Sequence, residues 1–104
     1  MAIDQILRQC KTTLQRYYGP RLKGVVVYGS VARQQAGTES DIDLLVLLAQ
    51  PFNYFEETRQ IIELLYPIQL ESDHLISAKP AFLPDYERGR LQLYRTAKRE
   101  GTVV

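Results

Sequence analysis

Two short stretches of this 104-residue chain carry residue types that could do chemistry: Gly29-Ser30, and Ser40-Asp41-Ile42-Asp43. Ten residues separate Ser30 from Asp41. In a strand, residues two apart point to the same face, about 6.5–7 Å apart along the backbone, so the Asp41 and Asp43 carboxylates can converge. Two carboxylates that close repel each other and raise one pKa unless a cation sits between them. Such hard oxygen ligands suit Mg²⁺, which takes one or two protein carboxylates and completes its shell with substrate phosphates and water. A strand that ends in Gly-Ser and turns into a helix presents backbone N–H groups to an anion. Gly29 lets the backbone approach a phosphate closely. Ser30 adds a hydroxyl donor, and Arg33, a turn later, adds a charge-assisted contact. Ser40, at the head of the acidic motif, joins Gly29, Ser30 and Arg33 in the expected nucleotide-binding set. Alone, Gly-Ser is a turn signal and Asp-x-Asp a common way to begin a strand. Together they supply a phosphate cradle and a metal-binding pair, the minimal equipment for phosphoryl or nucleotidyl transfer.

A third carboxylate would complete the site. Glu71 and Asp73 lie two apart in a predicted third strand, so they share a face. Asp73 is preferred, because Leu75-Ile76 follows it and sets it inside an apolar strand. Its expected role is to help hold a second metal and to take the proton from an attacking hydroxyl. Glu71 is the alternative. His74, the only histidine, points away from Asp73 in an ideal strand and reads as structural or surface. Cys10 lies on the apolar face of a helix and reads as core. Most of the seven tyrosines read as packing residues.

The elements that must position these groups follow from periodicity. Ile3, Ile6, Leu7, Cys10, Leu14 and Tyr17 recur at helical spacing, and Gly19-Pro20 stops the helix. The β-branched run Gly24–Ser30 reads as a buried strand that ends in a turn. A short helix over Val31–Gln35 and a polar loop to Ser40 follow. Asp43–Leu48 reads as a second buried strand. Asn53 caps the next helix, whose apolar face is Phe55, Thr58, Ile61, Ile62 and Leu65, and Tyr66-Pro67 ends it. The third strand is expected over Ile68–Ser77, then a loop from Lys79-Pro80 to Pro84. A last helix runs from Asp85 to about Glu100, with Gly101 as its stop. Val103-Val104 could add a short edge strand. The order α-β-α-β-α-β-α predicts an α/β (α+β) domain, a small sheet with packed helices. The pattern leaves the strand directions open.

Composition bounds the rest. The length suits one domain over residues 1–104. With 45% hydrophobic and 24% charged residues, it reads as an ordinary globular domain. A lone cysteine forbids an internal disulfide. No apolar run approaches the roughly 20 residues of a membrane span, and the first residues lack a signal-peptide pattern. The cytoplasm is the expected location. Net charge is +1, but Gly24–Ala78 holds eight carboxylates and two cations, against four and eleven at the two ends. An acidic middle can hold cations, and basic ends can meet phosphate or an acidic partner.

The stretch from Val25-Val-Val-Tyr-Gly-Ser-Val-Ala-Arg33 through Ser40-Asp-Ile-Asp-Leu-Leu-Val46 resembles the MNT domain. This is the minimal branch of the polymerase-β-like nucleotidyltransferase superfamily, and the spacing is similar to that of MNT antitoxins encoded beside HEPN-domain toxins. Asp73-His-Leu-Ile-Ser77 is similar to the family's third-carboxylate strand, and Leu93–Gly101 to its C-terminal helix. Gln34 stands where the family often has glycine. The resemblance implies a polymerase-β-like fold with a small mixed sheet. It implies two Mg²⁺ ions on Asp41, Asp43 and Asp73, and phosphate binding by Gly29 and Ser30. The implied activity is AMP transfer from ATP to a tyrosine of a HEPN toxin, which blocks that toxin's RNase activity. A chain this small has room for little beyond the nucleotide, so acceptor recognition is expected to rest on a partner or on self-association, not on nucleic acid or membrane. Two alternatives stand beside this reading. One is a nucleotidyltransferase subunit that acts on a small molecule or RNA. The other is an antitoxin that neutralises by contact alone.

Overall fold

A computed structural model describes residues 1–32 and 40–104. Helix α1 (Ile3–Tyr18) leads through a 3₁₀ turn, Gly19–Arg21, into strand β1 (Leu22–Tyr28). Strand β2 (Ile42–Leu48), helix α2 (Tyr54–Glu71), strand β3 (Ile76–Phe82), the short helix α3 (Leu83–Glu87), helix α4 (Gln92–Glu100) and the two-residue strand β4 (Thr102–Val103) follow. The four strands form one sheet in the order β3-β2-β1-β4. β1 pairs antiparallel with both β2 and β4, while β2 and β3 run parallel. The expected mixed sheet with packed helices is the one observed.

Strands β1 and β2 are apolar at nearly every position because helices cover both faces of the sheet. On one face, Ile6, Cys10 and Leu14 of α1 and Ile61, Leu65 and Ile68 of α2 pack on Val25, Val27, Ile42, Leu44 and Val46. On the other, Tyr86 of α3 and Tyr94 and Ala97 of α4 pack on Val26, Tyr28, Leu45 and Leu47. Each fully buried Leu or Ile contributes about 1.5–3 kcal/mol of transfer free energy. The strict alternation of Val25/Val27 against Val26/Tyr28 fixes which way each residue of the site points. Among the described residues, no helix is long and apolar enough to cross a membrane.

Three expected element boundaries fail, each for a local reason. Helix α2 does not stop at Tyr66-Pro67 but continues to Glu71. Ile61, Leu65 and Ile68 sit at helical spacing on the buried face, and that packing outweighs the hydrogen bond lost at Pro67. The strand expected over Ile68–Ser77 is therefore the end of a helix, a turn and only the first residues of β3. β3 instead runs through Lys79 and Pro80, placed above in a loop. A proline is tolerated there because β3 is an edge strand. The single last helix is two, separated by Arg88–Leu91, where Gly89 takes a φ of 65°. Other signals hold. The Asn53 side chain accepts from the Glu56 N–H at 3.0 Å as the α2 cap, Gly101 ends α4, and the C-terminal residues add β4. Of the short helix expected over Val31–Gln35, Val31 and Ala32 lie in a turn and the remainder falls outside the described residues.

Candidate active site

Antiparallel pairing closes the sequence gap between the two motifs. Tyr28, the last residue of β1, is in register with Asp43 near the start of β2. Gly29 follows directly and turns the chain with a φ of 77°, a conformation L side chains rarely adopt. A Cβ built on Gly29 would lie 2.6 Å from Asp43 Oδ2. The glycine bend and the acidic motif are thus in direct contact, and only the missing side chain at position 29 leaves the carboxylate its place.

Ile42 is fully buried against α1 and α2. By alternation, its neighbours Asp41 and Asp43 fall on the opposite face, the one shared by Tyr28 and Leu45. Asp43 is half-buried within β2, and Asp41 is exposed just before it. The turn between α2 and β3 holds the backbone on both sides of Asp41. His74 Nδ1 donates to the Ser40 carbonyl at 2.8 Å, which puts its proton on Nδ1, and the Ile42 N–H donates to the Leu75 carbonyl at 2.8 Å. The turn is itself fastened to α2. Gln69 Nε2 donates to the His74 carbonyl at 2.9 Å, and Gln69 Oε1 accepts from the Ile76 N–H at 2.7 Å. His74 is therefore structural, as expected, but its task is specific: it positions the segment that carries Asp41. Nothing in the sequence beyond its being the only histidine marks it for that task.

Tyr28 ends beside the acidic pair. Burial, then the negative charge of Asp43 and the Tyr54 hydroxyl, push its phenol up to about 12. Its hydroxyl is buried, with no hydrogen-bond partner among the described residues. It stays protonated and neutral next to Asp43.

The expected third carboxylate is not brought in. Asp73 lies exposed in the bend after α2, and Glu71 is the exposed last residue of that helix. Among the described residues, no three of His, Cys, Asp and Glu stand close enough to hold a metal ion. The cause is the extension of α2, which delays β3 until Ile76 and sets Ser77, not an acid, level with Asp43. Asp41 and Asp43, two oxygen donors beside the gap left by Gly29, still fit a Mg²⁺ that draws its other ligands from phosphates and water. Ser30 lies half-buried in the turn after Gly29. Arg33, expected at the phosphates, lies outside the described residues.

Comparison with known proteins fits this geometry. Residues 7–101 match the family model described as Nucleotidyltransferase domain. A Methanocaldococcus jannaschii chain with the provisional name protein adenylyltransferase is 31% identical over 77 residues, 74% of this chain and 77% of that one. A chain of the solved toxin–antitoxin complex MntA-HpeT superposes with a TM-score of 0.61 at 16% identity, over 100% of this chain and 72% of the other. A chain of the complex of tri-AMPylated Shewanella oneidensis HEPN toxin with MNT antitoxin gives 0.55 at 17% identity, over 96% and 69%. Those two structural likenesses establish the fold. The match over residues 7–101, which contains the Gly-Ser bend and the Asp-x-Asp strand in contact with each other, makes this chain a member of the nucleotidyltransferase domain family.

Proposed function

We propose that this chain is a Mg²⁺-dependent adenylyltransferase that moves AMP from ATP to a tyrosine hydroxyl of a HEPN-type toxin and thereby silences it. The observation that carries the reading is the contact of Gly29 with Asp43, which makes the phosphate bend and the acidic pair one site. The name of the archaeal relative and the AMPylated toxin held by a protein of the same fold support adenylyl transfer to protein over other acceptors.

In this mechanism Asp41 and Asp43 would hold Mg²⁺, which when bound would neutralise the charge that develops on the leaving pyrophosphate. Gly29 and Ser30 take the phosphate oxygens through backbone N–H groups and the serine hydroxyl. Arg33 and Ser40 complete the proposed nucleotide contacts. His74 and Leu75 keep the Asp41 segment in place, so the carboxylates need not reorganise during the reaction. The acceptor oxygen forms a bond to the α-phosphorus, the bond to the β-phosphate oxygen breaks, and the hydroxyl proton passes to solvent. Ser77, level with Asp43, can donate to a phosphate oxygen but cannot act as a base, and Asp73 lies exposed in its turn, in no metal-binding group among the described residues.

The test is mass spectrometry of the candidate toxin after incubation with this chain, ATP and Mg²⁺. Wild type is expected to add AMP, and Asp41→Asn with Asp43→Asn is expected to fold, to bind and to add none. The displaced Asp73 favours one rival, an antitoxin that acts by contact alone. Full protection against the toxin by the double variant would establish that rival and overturn the enzymatic reading.

A further inference from the structure

Helix α2 exposes a row of large apolar side chains. Phe55, Ile62, Tyr66 and Leu70 are 79%, 57%, 55% and 68% exposed, and Leu75, just beyond the helix, is 58% exposed. Their spacing of seven, four and four residues places the helical members on one face. Ile62, Tyr66 and Leu75 border one groove of about 220 Å³, floored by Leu65, Ile76 and Ala78. Small globular proteins rarely leave so many large apolar groups side by side in water.

The charges around the row say what covers it. Glu56 and Glu63 flank it on α2, Glu71 and Asp73 close its end, and Arg59 is the single cation among them, a local balance of 1 − 4 = −3. A second copy docking through the same face would bring two patches of the same negative balance together, because a two-fold contact uses one patch on both partners. Among the described residues, the other exposed large apolar side chains, Met1, Tyr17, Tyr54, Leu91 and Val103, form no second row of this kind. The same charge turns away nucleic acid and anionic lipid. Basic, apolar protein remains.

The row also adjoins the site. The Leu75 carbonyl accepts from Ile42, the residue between Asp41 and Asp43. A body seated on Leu75 is one strand spacing, about 4.8 Å, from the backbone of the acidic pair, whose side chains emerge on the other face round the same end of the sheet.

We propose that this face of α2, with Leu75, docks the acceptor protein through an amphipathic helix whose apolar anchors recur at i, i+4 and i+7 and whose flanks carry Lys or Arg. This rests on the reading that the acceptor is a protein, and it names the surface that recognises it. The probes are two synthetic helical peptides of equal length, both with Leu at those positions. One has Lys on its flanks, the other Glu at the same places. Titrated into the isotope-labelled chain, the Lys peptide is expected to shift the amide resonances of Ile62–Leu70 and Leu75. It should bind at least about tenfold more tightly than the Glu peptide at low salt. Ile62→Asp with Leu70→Asp, two exposed positions that the fold does not need, is expected to abolish that binding without changing circular dichroism or the affinity for Mg²⁺–ATP. Equal affinity for both peptides, shifts confined to α1 or α4, or a dimer that the double variant dissociates would each overturn the proposal. Peptide binding needs no catalysis, so a failure here is distinct from a failure to transfer AMP.

Discussion

Gly29→Ala meets two separate obstacles. The φ of 77° asks an L side chain to occupy the left-handed region, which costs about 1–2 kcal/mol. The new Cβ then lies 2.6 Å from Asp43 Oδ2, so the carboxylate must swing away or the turn must lift off the strand. Gly19→Ala separates the two effects. It also sits at positive φ, 57°, but its Cβ meets nothing within 4 Å. Both variants should lose about 1–3 kcal/mol of stability. For a domain of this size, each kcal/mol lowers the melting temperature by about 4–8 °C. Only Gly29→Ala moves a proposed metal ligand, and a displacement of about 1 Å can cost roughly 100-fold in rate. Thermal melts paired with transfer from α-labelled ATP should therefore show two destabilised proteins, of which only Gly29→Ala has lost activity by about 100-fold. Adding Asp43→Ala removes the atom in the way. The double variant should then be more stable than the sum of the single changes, by a coupling of about 0.5–3 kcal/mol. Strict additivity, or wild-type transfer by Gly29→Ala, would refute the contact on which the site is built.

Three further outcomes follow from the same structure. Cys10 is buried, and burial pushes its thiol from 9.0 to about 11, while Tyr28 rises from 10.0 to about 12. Both groups must give up a proton more readily when unfolded, so stability is full below pH 9 and falls as pH rises through 9 to 12. Urea melts from pH 8 to 11 should show that decline, and Cys10→Ala should remove its earliest part. Gln69→Ala leaves the Ile76 N–H without its side-chain acceptor, while the His74 carbonyl keeps the Ser72 hydroxyl, and should cost about 1–3 kcal/mol by urea denaturation. Ser77→Asp places an acid level with Asp43 and should tighten Mn²⁺ binding by about tenfold, or 1.4 kcal/mol, in a paramagnetic titration. Unchanged affinity would mean that the strand position does not face the metal.

The central part of the fold was legible in the sequence because each signal there agrees with its neighbours. Val25–Tyr28 and Leu44–Leu48 are apolar at every position, which only a strand covered on both faces requires, and Asn53 and Gly101 mark helix ends by their own chemistry. The Gly-Ser and Asp-x-Asp motifs could be grouped from residue type and spacing, while the contact of Gly29 with Asp43 follows from the antiparallel return of β2, a direction the pattern left open. The region from Tyr66 to Phe82 was misread because two prolines argue locally against what tertiary packing favours. Pro67 sits in a helix held by Ile61, Leu65 and Ile68, and Pro80 sits in a strand whose sequence otherwise resembles a loop. That one shift of boundary moved Asp73 out of the strand and Ser77 into register, so the third ligand was the part of the site that pattern could not locate. The role of His74 was equally hidden, since its acceptor, Ser40, is 34 residues away in sequence.

The outer margin of β3 bears on how this sheet stays finite. Its Ile76 amide is occupied by the Gln69 side chain, and Pro80, four residues on and so on the same side of the ladder, has no amide hydrogen to offer. A foreign strand approaching this border would find alternate donors capped or missing, and could not zip on in register. During synthesis in a crowded cell, this border is thus guarded against growing into ribbons with other copies, and whatever joins the chain here must be gripped by side chains and not by backbone.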